Sequence, residues 1–115
     1  MARLQLEGPY RLAFDEIDKK VGKQNSGVFA LGYVAKRDFY INYVGRSDVD
    51  LRGRLLELIG SDVAFKFKST PTVKEAFLRE CELFHLFQPY GNRVHPARPT
   101  LSGWSCPHCW MLGEH

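Results

Sequence analysis

Disulfide cysteine, membrane-length apolar runs and a dominant charge are all missing from this chain, and each absence excludes a class of protein. Three cysteines in 115 residues, Cys81, Cys106 and Cys109, are too few and odd in number for a disulfide framework. No apolar run approaches the roughly 20 residues that a membrane span requires. The N-terminus lacks the basic-then-apolar order of a signal peptide. No membrane partner is therefore expected, and the expected location is cytoplasmic. No segment repeats, and no tract is of low complexity. The net charge of +3 permits an acidic partner such as nucleic acid without demanding one. What is present is material for a core: 44% hydrophobic and 13% aromatic residues. At this length the chain makes a single domain over 1–115.

Periodicity places the elements. Leu12, Phe14, Ile17 and Val21 roughly keep helical spacing, so Pro9 to Val21 is expected to be a helix. Gly22 to Gly27 breaks it. Gly27 to Ala35 and Phe39 to Gly45 read as two strands of a hairpin, turning at Lys36-Arg37-Asp38. Asp50 caps a helix that runs to Ile59 and ends at Gly60. Val63 to Lys68 alternates, with Phe65 and Phe67 on one face and Lys66 and Lys68 on the other, as a half-buried strand does. Thr72 and Glu75 form a capping box for a long helix ending at Phe87. Beyond it, Pro89, Gly91, Pro96 and Pro99 mark a loop-like tail. The fold expected is α+β: a small three-stranded antiparallel sheet flanked by helices, with an N-terminal helix and a C-terminal tail.

One residue breaks the long helix's pattern. Val73, Ala76, Phe77, Phe84 and Phe87 form an apolar stripe, and Glu80 falls in its middle. An unpaired carboxylate is costly to bury, so such a residue is paired, protonated or bound to a metal. Its plainest partner is an arginine such as Arg54. That arginine sits at the edge of the Leu51, Leu55, Leu58 stripe, where it either snorkels along the core or aims its donors at a phosphate. Lys66, Lys68, Lys74 and Arg79 read as a solvated face or as a track for a phosphate backbone.

The cysteines suggest a metal. Cys106-Pro107-His108-Cys109 has the spacing of a zinc knuckle. Cys81 and His85, four apart on the long helix, supply a second pair of ligands. His95 is an alternate ligand. A structural Zn²⁺ held by Cys81, His85, Cys106 and Cys109 is the expectation, with the tail 93–115 folded about it. The competing account is a buried Cys81, a surface His85 and an idle or redox-active pair at Cys106 and Cys109.

Taken in order, Gly27-Val28-Phe29 opens the first strand and Tyr43-Val44-Gly45-Arg46 closes the second. Arg54 lies on the next helix, Glu75-Ala76-Phe77-Leu78-Arg79-Glu80 on the last, and Asn92 follows. Over 27–92 this ordered set resembles the GIY-YIG nuclease superfamily, in particular small stand-alone members that end in a Cys-Pro-x-Cys tail. The resemblance implies metal-dependent hydrolysis of DNA phosphodiester bonds. It makes Glu80 the ligand of a catalytic Mg²⁺ or Mn²⁺ and Arg54 the phosphate clamp. Tyr43 would orient or deprotonate the attacking water, with Arg46 supplying the positive charge that a tyrosine needs near neutral pH. Asn92 would be a supporting polar group. Phe29 departs from the motif, which has tyrosine there, and Tyr33, four residues on along the strand, is the proposed replacement. Leu58 stands where a Tyr or His sometimes helps. The alternative is a nucleic-acid- or protein-binding module of the same fold without turnover. Specificity for DNA would come from loops, a homo-oligomer or a protein partner.

Overall fold

The computed structural model describes residues 6–23, 25–87, 91 and 106. Among them lie β1 (Glu7–Arg11), α1 (Phe14–Lys20), β2 (Ser26–Ala35), β3 (Asp38–Ser47), α2 (Leu51–Glu57), β4 (Ala64–Thr70) and α3 (Val73–Phe87). The four strands form one sheet in the order β1-β4-β2-β3, and every pairing is antiparallel. The fold is therefore α+β, but its sheet has four strands, not three.

The extra strand comes from the segment expected to start the first helix. Tyr10 pairs with Phe65 and Arg11 with Ala64, and the Tyr10 ring lies 5.7 Å from that of Phe65 and 6.3 Å from that of Phe67. Pro9, which has no backbone N–H to give a ladder, is tolerated because β1 is an edge strand with an irregular register between Glu7 and Tyr10. The helix is thereby cut to the seven residues of α1. Ile17 is fully buried, whereas Phe14, placed in the apolar stripe from the sequence, is 60% exposed.

Alternation along the strands divides the core into two layers. Phe29, Leu31, Phe65 and Phe67 point to one face and pack with Ile17 of α1 and with Leu51 and Leu55 of α2. Val28, Ala30 and Val44 point to the other face and pack with Ala76 and Leu83 of α3. The sheet is thus covered by α1 and α2 on one side and by α3 on the other.

Both caps read from the sequence form. Asp50 Oδ1 accepts from the Gly53 amide at 3.0 Å, and Thr72 Oγ1 accepts from the Glu75 amide at 3.1 Å. The Glu75 carboxylate does not complete its box; it accepts from Arg79 Nε at 3.2 Å. Arg79 is accordingly part-buried, not a member of a solvated face. α2 ends at Glu57 with Leu58 as its cap, short of the expected Ile59, and Gly60, with φ of +98°, lies in the turn that follows.

One irregularity bears on the site. Leu31 pairs with Tyr43 while Gly32 pairs with Ile41, so Asn42 has no partner in the ladder. This bulge places Asn42 and Tyr43 on the same side of β3, where a regular strand would oppose them.

Candidate active site

Glu80 is 8% exposed and does have a partner, but that partner is Arg46 rather than Arg54. Arg46 Nη1 donates to Glu80 Oε1 at 2.7 Å, and Arg46 Nε donates to Asp48 Oδ1 at 2.8 Å. The guanidinium also lies over the Phe77 ring, 5.3 Å from its centroid. Strand alternation explains the meeting: Arg46 is two residues beyond Val44, on the face that α3 covers. Burial pushes the Glu80 carboxyl above its ordinary range; the Arg46 hydrogen bond and charge oppose that shift, and the Asp48 charge adds to it. Desolvation works against the charge on Arg46, but the hydrogen bonds it donates to Asp48 and Glu80, with their negative charge, hold it more firmly protonated. Asp48 was not singled out from the sequence, where its one local signal was its place two residues after Arg46, and Phe77 was read only as part of the apolar stripe.

The other proposed residues lie elsewhere. Tyr43 belongs to the face covered by α1 and α2, with its ring 6.2 Å from that of Phe29. It borders a cleft of about 360 Å³ lined by Leu31, Asn42, Tyr43, Leu58, Ser61, Asp62 and Gly91. Asn42 Nδ2 donates to Asp62 Oδ2 there at 3.2 Å. Arg54 is exposed on α2 and contacts Glu57 at 3.1 Å. The sheet therefore separates Tyr43 and Arg54 from the Arg46–Glu80 pair.

Phe29 is fully buried. Its ring covers the bare backbone of Gly45, where a Cβ would come within 2.5 Å of the ring. The close approach that this glycine permits is thus to Phe29. Tyr33 stands far along the hairpin, stacked on Tyr40 with centroids 5.3 Å apart and planes at 22°.

Of the zinc ligands expected, Cys81 and Cys106 are both buried in one cluster with Phe77. His85 follows one turn after Cys81 on α3, its ring edge-on to Phe84 at 5.3 Å. Cys109, the alternate ligand His95 and Asn92 lie outside the described residues. Among the described residues no three of His, Cys, Asp and Glu group as a metal site, and no helix is long and apolar enough to cross a membrane.

No family model matches the chain, and neither a curated protein nor a solved structure does.

Proposed function

We propose that this chain is a GIY-YIG-type endonuclease domain that hydrolyses DNA phosphodiester bonds with a divalent metal. The observation that carries the reading is the 2.7 Å contact between Arg46 and Glu80. These residues come from separate motifs, 34 positions apart in the chain. Glu80 is the proposed ligand of Mg²⁺ or Mn²⁺, and Arg46 engages only one of its two oxygens. A hard cation that keeps most of its waters needs few protein carboxylates. Bound there, the metal would stabilise charge on the phosphate and the leaving oxygen. Arg46 holds Glu80 in place, whereas Arg54, in an exposed contact with Glu57, lies across the sheet and does not sit beside this phosphate. Tyr43 borders a cleft on the opposite face, so the water that attacks a phosphate at Glu80 would have to be oriented by another group. Cys81 and Cys106, packed together, support a structural Zn²⁺, to which His85 and Cys109 would be the further ligands. The proposed location is cytoplasmic, and a homo-oligomer or protein partner is the proposed source of specificity.

A specific observation favours a second reading. Phe29 fills the place of the motif's first tyrosine with a buried, unreactive ring, and Tyr43 and Glu80 are on opposite faces of the sheet. That arrangement suits a binding module that retains the fold without turnover.

Nicking of supercoiled plasmid with Mg²⁺ or Mn²⁺ tests the first reading. Cleavage that EDTA stops and Glu80→Ala abolishes is the expected result. A folded protein that leaves plasmid, branched and single-stranded DNA intact would favour the binding module.

A further inference from the structure

The far end of the β2–β3 hairpin carries features that the core does not account for. Tyr33 and Tyr40, paired across the strands, remain 43% and 44% exposed while stacked on each other. On the opposite face Val34 is 51% exposed. The turn beyond them consists of Lys36 and Arg37, with φ of 51° and 74°. Two-residue hairpin turns with both φ values positive favour Asn-Gly, which reaches that region with little strain. This chain instead holds two long cations there, both exposed, with Asp38 the neighbouring carboxylate. The alternation along β3 puts Tyr40 on the same side as Asn42 and Tyr43, so the stacked pair and the Tyr43 cleft share one side of the sheet.

We propose that this hairpin tip is a docking site for single-stranded nucleic acid. An unstacked base lies on the Tyr33–Tyr40 pair, and the adjoining phosphates meet Lys36 and Arg37. Exposed aromatic rings beside cations are how proteins hold single strands without reading sequence. A duplex hides its base faces and offers such rings little. The inference rests on the nucleic-acid reading above but not on turnover. A cross-strand tyrosine pair also steadies a hairpin, so the test must separate recognition from stability.

Two variants make that separation. Lys36→Asn with Arg37→Gly suits the turn's backbone better and removes both cations. Tyr33→Thr with Tyr40→Thr keeps strand propensity and removes the rings. Binding is read by fluorescence anisotropy with labelled oligo-dU and oligo-rU, which differ only in the sugar, with duplex DNA as competitor, over a series of salt concentrations. The turn variant should unfold at the same or a higher temperature, yet bind single strands at least about fivefold more weakly. Its slope of log affinity against log salt should fall by about 1.4, the value for two lost phosphate contacts on a single strand. The tyrosine variant should lose affinity by about tenfold or more. Similar losses on DNA and RNA mean that the base faces are the ligand; a loss on one alone identifies the sugar that is recognised. Absence of single-strand binding by the native chain, unchanged affinity in both variants, or preference for duplex would overturn the proposal. So would self-association of the native chain that the tyrosine variant abolishes, since a second copy would then occupy the rings. Plasmid nicking without hairpin-dependent binding would sink this inference alone; hairpin-dependent binding without nicking would sink only the nuclease reading.

Discussion

On the α3 side of the sheet, depth is occupied by charge: Arg46 between Glu80 and Asp48, over the ring of Phe77. On the α1–α2 side, one residue away along the same strand, Phe29 lies on the bare Gly45 and Tyr43 opens onto a cleft. The first face depends on a pairing that must stay complete, because a buried charge left alone is expensive. The second depends on shape. A change of charge should therefore damage the α3 side, and a change of volume or an added hydroxyl the other.

The largest effect should come from Arg46→Leu. It strands Glu80 in the core and should cost about 3–5 kcal/mol in urea denaturation. Replacing both partners, Arg46→Leu with Glu80→Leu, should recover most of that loss, since an apolar pair carries no desolvation penalty. If the double variant is as unstable as the single one, packing and not charge governs this face. Next, Phe29→Tyr restores the motif's tyrosine where no space is exposed, and should cost about 1–3 kcal/mol for the added hydroxyl. A gain in plasmid nicking by that variant would indicate that the hydroxyl reaches the Tyr43 cleft; stability lost with no gain would mark Phe29 as purely structural. Asp50→Ala removes the α2 cap and should cost about 1 kcal/mol, a loss visible as a lowered melting temperature.

The smallest effect is a pH slope. Burial raises the Glu80 carboxyl above its ordinary value of 4.5, so the folded state holds that proton more tightly than the unfolded chain. Stability from this group is therefore greatest at low pH and falls as pH rises from 4.5 through the raised value. Glu80→Gln lacks the titration. Denaturation of the two proteins over that window should show the native chain losing stability relative to the variant as pH increases. An opposite trend would mean that Arg46 outweighs burial.

Much of this was legible in the residues because it was local. The Asp50 and Thr72 caps, the β2–β3 hairpin and α3 depend on neighbours a few positions apart. The strand β1 was not, because five residues containing Gly8 and Pro9 carry no alternation, and what makes them a strand is the distant Phe65–Phe67 surface. The cost of burying Glu80 was readable, but its partner was not. Helix phase suggested Arg54, whereas the pairing depends on which way β3 faces, and that depends on where Asn42 bulges. Likewise the sequence could align Tyr43 with Glu80 in a motif but could not say that a sheet would lie between them.

The bulge at Asn42 also bears on how this protein meets copies of itself. β3 is an outer strand ten residues long, and an unbroken outer strand is a template on which another chain can lengthen the sheet. The unpaired Asn42 divides it into the stretches 38–41 and 43–47, and the Gly91 amide occupies the Asn42 carbonyl at 2.5 Å. A strand arriving from outside would find its register interrupted and that acceptor taken. The same kink that turns Tyr43 towards the cleft therefore opposes edge-to-edge aggregation.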